Sequence, residues 1–298
     1  MAFVLAHVSD PHLAPLPQVR LYELIGKRVT GFVNWRRKRA AIHQAEVLAR
    51  IVADLKAQKP DHIAVTGDLV NLALPGEYAP ARAWLDALGP PADVTLVPGN
   101  HDAYVRSGVA ASLTHWRDFM RGDAAAAVPH EFPFLRKRGP LALIGVSTSV
   151  PSLPLSAIGR IGPDQLRRLE KILEDCGRDG LYRVVLIHHP PTSKRSHYLK
   201  RLTDSARLRD VLARRGAELL IHGHNHCRQT VWLDGPAGRI PAIGVPSASE
   251  ALPGEHDPAG YNLYRIEGER GAWRCEVITR GITPEGVAEL DRVILAAA

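Results

Sequence analysis

The run His62-Ile63-Ala64-Val65-Thr66-Gly67-Asp68-Leu69-Val70-Asn71 changes character in its middle: an aliphatic stretch ends in a glycine, a carboxylate and, three residues on, a carboxamide. The first half predicts a short buried strand over His62 to Thr66, and the second a loop holding polar side chains at the strand's end. The same change recurs along the chain. Phe3 to Val8 runs into Ser9-Asp10-Pro11-His12, and Val94 to Val97 into Gly99-Asn100-His101-Asp102. Arg183 to Ile187 runs into His188-His189-Pro190-Pro191, and Ala217 to Ile221 into His222-Gly223-His224-Asn225-His226. Apolar residues at helical spacing predict helices over Ala41 to Gln58, Tyr78 to Leu88, Gln165 to Asp175 and Ala206 to Arg214. Strand and helix alternation predicts an α/β architecture, in which ligands bind beyond the carboxyl ends of the strands. All these polar segments are therefore expected to meet at one site.

Their chemistry suits such a meeting. Asp10 and His12 are two apart, which in an extended segment turns both to one face and lets them grip one ion. A carboxylate has two oxygens, so Asp68 could bridge two metals, while imidazoles and a carboxamide oxygen complete each shell without adding charge. Two carboxylates against two divalent cations leave a cluster net positive by about two, which attracts a phosphate anion. Two such ions lower the pKa of a bound water and clamp the attacking and leaving oxygens of a displacement. A glycine beside Asp68, Asn100 and His224 is expected to let the backbone turn sharply there. His188 and His189 are adjacent, so an extended backbone turns only one of them to the metals.

The segments resemble the pattern of the calcineurin-like metallophosphoesterase family: DxH, GDxx[ND], GNH[DE], a histidine after a later strand, and GHxH, in that order from Asp10 to His226. The resemblance implies a four-layer αββα sandwich, with helices outside two packed mixed β-sheets and the site at the strand ends. It implies Asp10, His12 and His226 on one metal, Asn100, His188 and His224 on the other, and Asp68 bridging. It implies that His101 contacts the phosphate and protonates the leaving alcohol, work for which imidazole is suited near neutral pH. Asn71 stands where the protein phosphatase branch has an aspartate supporting that histidine. GDxxN is instead similar to bacterial phosphodiesterases of the cyclic nucleotide and glycerophosphodiester type, with Asn71 near the substrate. Mixed Asp, Asn and His ligands suit manganese, iron, zinc or cobalt.

The remainder of the 298 residues sets limits. One domain spanning 1–298 is expected, with 45% hydrophobic and 23% charged residues and no apolar run near the ~20 a membrane helix needs. Met1 to His7 reads as a strand rather than a secretory signal, which predicts a cytoplasmic location. Cys176, Cys227 and Cys275 form no CxxC pair and are expected to be reduced thiols. A charge of +7 suits an anionic partner, a small phosphate ester or diester before nucleic acid, since no aromatic-rich binding motif is present. Residues 20–39, with Leu21, Leu24, Ile25, Val29, Phe32 and Val33 among Lys27, Arg28, Arg36, Arg37, Lys38 and Arg39, form a basic amphipathic insertion. It predicts either a cap helix with its basic residues in water or peripheral association with the inner membrane face. Its sequence is faintly similar to the corresponding region of calcineurin-like pyrophosphatases that cleave UDP-diacylglucosamine.

A second basic run, Arg136 to Arg138, either lines the site or is exposed, and TVWL, AIGV, YNLYRI and WRCEVI in the tail read as strands finishing the second sheet. His7, His43, His62, His115, His130, His197 and His256 are read as structural, with substrate contact the alternative for His197, which stands among Lys194, Arg195 and Lys200. The leading expectation is hydrolysis of phosphodiesters by metal-activated hydroxide with His101 as general acid. The alternatives are a UDP-linked lipid pyrophosphatase at the membrane surface, a nuclease, or a non-catalytic scaffold of the same fold. The last would be expected to have lost ligands, and none is missing.

Overall fold

The computed structural model describes residues 2–123, 132–192, 195–251 and 257–295. Its strands form two six-stranded mixed sheets. The first has the order β12-β11-β10-β1-β2-β3, built from β1 (Phe3–Val8), β2 (His62–Val65), β3 (Val94–Leu96), β10 (Gly260–Glu267), β11 (Arg274–Thr283) and β12 (Gly286–Leu295). The second has the order β4-β5-β6-β7-β9-β8, built from β4 (Phe134–Arg138), β5 (Leu141–Gly145), β6 (Tyr182–Leu186), β7 (Leu219–His222), β8 (Gln229–Gly235) and β9 (Gly238–Gly244). Strands β1, β2 and β3 are parallel, as are β5, β6, β7 and β9, so their carboxyl ends point the same way within each sheet.

Side-chain alternation explains why the parallel strands read as unbroken apolar runs: both faces are covered. Val184 and Leu186 of β6 face the first sheet, among Leu5, Ala64, Leu219 and Ile221. Val185 of β6 and the following Ile187 turn outward onto Leu166, Leu169 and Leu173 of α6 (Pro163–Arg178) and Leu208 and Leu212 of α7 (Ser205–Arg215). On the other side α3 (Ala45–Ala57), α4 (Tyr78–Leu88) and α5 (Arg106–Trp116) contribute Ile51, Leu55, Leu85 and Trp116 to the outer core of the first sheet. The result is the expected αββα sandwich. Leu186 is fully buried between the sheets, so Leu186→Ala would open a cavity at a cost of about 2–5 kcal/mol.

Four expectations need correction. The helix read over Ala41 to Gln58 is interrupted: α2 (Ala40–Ile42) ends at His43, whose φ of −89° and ψ of 109° are extended, and α3 starts only at Ala45. The tail strands do not all finish the second sheet. TVWL and AIGV do, paired through the Gly235↔Gly238 hairpin, but β10 returns beside β1 and carries β11 and β12 with it. Arg136 neither lines the site nor is exposed: it is 3% exposed and donates to the carbonyls of Pro91, Val94, Asp118 and Arg121, at the start of β3. Finally, α1 (Lys27–Asn34) does not keep its basic residues in water and its apolar ones inside: Phe32 packs on the core of the first sheet, but Lys27 is buried while Val29 and Val33, with the preceding Ile25, are exposed. Among the described residues no helix is long and apolar enough to cross a membrane.

Candidate metal centre

The loops after β1 and β2 are tied together by backbone bonds, Asp10 N to Gly67 O at 3.0 Å, His12 N to Asp68 O at 3.1 Å and Leu13 N to Leu69 O at 2.9 Å. The spacing of Asp10 and His12 does bring both inward, but not through an extended segment. Their φ angles are 51° and 38°, and Asp68, His224 and His226 lie at 56°, 71° and 52°. Left-handed backbone at a non-glycine residue costs about 1–3 kcal/mol and persists where surrounding structure imposes it. Among the described residues five of the eight non-glycine positions with positive φ are these candidate ligands. Of the glycines beside them, Gly67 does turn sharply, with a φ of 93°, whereas Gly99 and Gly223 serve close approach: a Cβ on Gly99 would collide with the Asp68 carboxylate, and one on Gly223 with Ser9 and Asp10.

Asp102 is the clasp of this arrangement. Its carboxylate accepts from Gly99 N and Asp68 N at 2.8 Å each, from Leu69 N at 2.8 Å and from Val70 N at 3.2 Å, holding the loops after β2 and β3 in register. Burial, and then the charge of Asp68, push this carboxyl up to about 7, against the pull of the Gly99 and Val70 amides. Glu77 does similar work for the next turn, accepting from Asn71 N at 2.6 Å and Leu74 N at 2.8 Å.

The side chains then converge in two groups. His12, His43 and His226 form one, and Asp10, Asp68 and His188 the other; within each, ligand atoms lie within 4.8 Å of one another. Asp68 Oδ2 is 3.9 Å from His12 Nε2 and 3.4 Å from His188 Nε2, between a nitrogen of each group, the placement a bridging carboxylate needs. Asn100 Oδ1 is 3.0 Å from His188 Nε2 and 2.8 Å from His224 Nδ1, which brings the carboxamide and His224 to the His188 side. Partners behind the rings fix which nitrogen points inward: His188 Nδ1 bonds Thr66 O at 2.7 Å, His224 Nε2 bonds Lys200 O at 2.8 Å, and Glu250 Oε2 lies 3.3 Å from His226 Nδ1. Such outer contacts are how metal-binding imidazoles are held.

The residues fit two divalent ions. His12 Nε2 and His226 Nε2 face each other at 3.3 Å, as do His188 Nε2 and His224 Nδ1 at 3.2 Å, and the fully buried Asp10 Oδ1 lies 3.3 Å from His226 Nε2 and 4.0 Å from His12 Nε2. Ring nitrogens meeting head-on around a buried carboxylate oxygen are what a shared cation resolves. Burial alone would lower His188, but Asp68 outweighs it and carries the pKa up to about 9; burial is likewise outweighed by Asp10 and Glu250 at His226, also raised to about 9.

His101 lies against this cluster, its backbone N donating to Asp68 Oδ1 at 2.7 Å and its ring 5.0 Å from that of His12. Nδ1 bonds the Asn71 carbonyl at 2.5 Å, and Nε2 is 2.8 Å from Arg39 Nη1. Burial, then Arg39, pull its pKa down to about 3, so the ring is neutral. Asn71 thus supports His101 through its backbone, while its side chain donates to Leu13 O at 2.9 Å. His189 turns away to Thr148 Oγ1 and Ala157 O, and His222 sits against Gly223 O. His7 and His62 are core residues bonded to Thr66 and Thr95. His130, His256, Lys194 and the side chain of His197 lie outside the described residues.

His43, expected to be structural, instead joins the His12 group: its ring is 4.5 Å from that of His12 and its Nδ1 is 2.9 Å from Ser249 Oγ. Arg39 and Glu250 carried no signal of their own, whereas Asp102 stood in the GNHD block without an assigned part. A larger cavity of 480 Å³, lined by Tyr182, Arg183, Trp273 and Cys275 among others, is remote from the ligands: Tyr182 begins β6, and His188 follows its end.

Fold and site together define a hydrolase of the binuclear-metal sandwich class. The chain belongs to the calcineurin-like phosphoesterase family, whose model matches residues 3–228. It is 28% identical over 235 residues to a "Probable cyclic nucleotide phosphodiesterase" of Rhodococcus erythropolis, covering 78% of this chain and 67% of that one. A second protein of that name from Synechococcus is 25% identical over 283 residues, 93% and 92% of the two chains. Among solved structures, a dimetal phosphatase from Danio rerio shares the fold with a TM-score of 0.66, 13% identity and 98% coverage of both chains. The protein is a metal-dependent phosphoric ester hydrolase.

Proposed function

We propose that the protein hydrolyses phosphodiesters, with Asp10, His12 and His226 holding one metal, Asn100, His188 and His224 the other, and Asp68 between them. The observation that carries the reading is Asp68 Oδ2 lying between His12 and His188, with His101 bonded to the same carboxylate's other oxygen through its backbone. The names of the two bacterial relatives support a diester over a monoester. Two divalent ions would lower the pKa of a water between them and offset phosphoryl charge. The protein's part is to hold those ions, to orient the diester, and to place His101 on the leaving-group side. His101 is neutral in the free site, so its acid role requires the anionic substrate to raise its pKa, as an opposite charge does. The Asn71 carbonyl on Nδ1 is positioned to stabilise the imidazolium that results.

The direct test is turnover of bis(p-nitrophenyl) phosphate beside p-nitrophenyl phosphate, using chelator-stripped protein with and without Mn²⁺. Metal-restored turnover favouring the diester is expected; preference for the monoester would move the assignment to a phosphatase. His101→Ala should lose more on a diester with an alkoxide leaving group than on one releasing p-nitrophenolate, which needs little protonation. Equal losses would remove His101 from acid catalysis.

A second reading concerns where the substrate resides. Leu21, Ile25, Val29 and Val33 are 88%, 73%, 47% and 43% exposed, and Leu153 and Leu155 on the neighbouring loop are 79% and 82% exposed. Lys27 joins the two segments through Ser152 and Ser156. We propose that this apolar rim, with Arg36 and Arg37 beside it, rests on an anionic membrane surface and brings lipid-linked esters to the site. Co-sedimentation with phosphatidylglycerol vesicles that weakens with salt is expected, and equal recovery with and without vesicles would remove this reading.

A further inference from the structure

Beside the metal ligands lies a pocket of 160 Å³ whose lining includes Lys27, Arg39, Asn100, His101, Tyr104 and Lys200. Two of its cations come from the insertion and lack the partners such groups usually have. Arg39 Nη1 approaches only His101, at 2.8 Å from Nε2 and 3.4 Å from Nδ1, and the guanidinium has no ion pair among the described residues. Lys27 is 8% exposed; its ammonium donates to Ser152 Oγ at 2.7 Å and Ser156 O at 2.8 Å and lies 4.3 Å from the Tyr104 ring, again with no carboxylate among the described residues. Its third N–H has no partner there, although an ammonium carries three donors. Burying a cation without a counter-charge is costly, and burial pulls the Lys27 pKa down to about 8. The Asp68 charge offsets part of this cost for both groups. Two bound metals would take that charge for themselves.

The arithmetic with metals in place is informative. Two divalent ions, Arg39, Lys27 and Lys200 carry about +7, and Asp10, Asp68, Asp102 and Glu250 about −4, with the histidines neutral. A simple phosphodiester and an attacking hydroxide bring about −2, leaving roughly one positive charge in a partly buried pocket. A diester that carries one further negative charge closes the account. Arg39 touches the ring proposed to protonate the leaving group, so the further charge belongs on that side of the scissile phosphoryl.

We propose that Lys27 and Arg39 form an anion subsite beside the metal pair, so that the preferred substrate carries a second phosphate or carboxylate next to the scissile phosphoryl, on its leaving-group side. The guanidinium then turns from His101 to the second anionic group, freeing Nε2 to face the leaving oxygen. This rests on the diester reading above but can fail separately from it.

The test compares UDP-glucose, which has two adjacent phosphoryl charges, with bis(p-nitrophenyl) phosphate, which has one, for wild type, Arg39→Ala, Arg39→Lys and Lys27→Met. Arg39→Ala should lower kcat/KM at least tenfold more on UDP-glucose than on the simple diester, chiefly through KM, with Lys27→Met following in the same direction and Arg39→Lys retaining most of the preference. A binding measurement free of turnover accompanies it: the manganese-loaded protein should bind α,β-methylene-ADP at least tenfold more tightly than AMP by calorimetry, and Arg39→Ala should erase that ratio at unchanged metal content. Equal losses on both substrates, or no preference for the diphosphate analogue in the wild type, would overturn the subsite. Absence of simple diester turnover, with the binding preference intact, would instead count against the diester reading.

Discussion

The ligand loops and the 20–39 insertion are neighbours with opposite constructions. In the loops, charged groups are buried, each backbone turn is tied to another strand end, and strain is held by Asp102 and Glu77. In the insertion, Leu21, Ile25, Val29 and Val33 face outward and two cations, Lys27 and Arg39, face inward without carboxylate partners among the described residues. The first construction fits a part whose geometry must not change during a reaction, because misplacing a reacting group by about 1 Å can cost ~100-fold. The second fits a part that meets something outside the chain. Chemistry and selection are thus assigned to different segments, and substitutions in each should fail in different ways.

The largest effect is expected in the loops. Asp68→Asn removes the charge shared between both ligand groups, so turnover should fall on the order of 10³-fold, beyond the ~10–100-fold typical of an outer-shell loss. Circular dichroism and metal analysis would show whether the fold remains and the metals have left. Full activity with both metals bound would break the proposed division at its centre. Asp102→Asn should act mainly on stability. An amide oxygen can replace one carboxylate oxygen, but its NH₂ then meets backbone donors, and two unsatisfied N–H groups at about 1–3 kcal/mol each predict a loss of roughly 2–6 kcal/mol. A denaturant midpoint unchanged from wild type would show that the two loops do not depend on this clasp.

These loops were the legible part of the sequence, for a physical reason. Metal chemistry restricts residue type, and strand ends restrict position, so the segments holding Asp10, Asp68, Asn100, His188 and His226 could be picked out without knowing any distance, while the resemblance to the family pattern chose His188 over His189. What was not legible depends on neighbours distant in sequence. The left-handed turns at Asp10 and His12 arise from bonds to Gly67 and Asp68. His43 lay within an apolar periodicity that continues through it, and only Ser249 and Glu250, paired with this segment, explain why the helix breaks there. Alternation told which faces of the tail strands are buried, but not that β10 would choose β1 as its partner. Arg136 looked like a surface cation because the carbonyls it satisfies come from two other segments, 91–94 and 118–121.

A pH experiment sharpens the account of the loops. In the metal-free protein His188 and His226 titrate at about 9, so at pH 7 both carry protons that a metal must displace. Metal binding at pH 7 should therefore release close to two protons, and affinity should rise with pH until about 9 and level off above it. Below that pH the fall approaches ~100-fold per unit when both protons are displaced. Calorimetry in buffers of different ionisation enthalpy measures the number directly. Release of none would mean that His188 and His226 are already neutral, and the electrostatic coupling to Asp68 and Asp10 would have to be abandoned.

The smallest intrinsic effect, and the sharpest contrast, belongs to the rim. Ile25 and Val29 are 73% and 47% exposed, so the double change Ile25→Ser and Val29→Ser removes little buried apolar area. Surface changes of this kind usually stay within about 0.5 kcal/mol, and turnover of a soluble diester should match wild type. Binding to anionic vesicles should nevertheless fall, since each buried CH₂ withdrawn from an acyl environment removes ~0.8 kcal/mol of attraction. A variant with normal folding, normal soluble turnover and reduced vesicle binding would separate the two constructions experimentally. If the variant were destabilised by several kcal/mol instead, the outward face of α1 would have to be packing against protein, and the rim would join the loops as part of the structural frame.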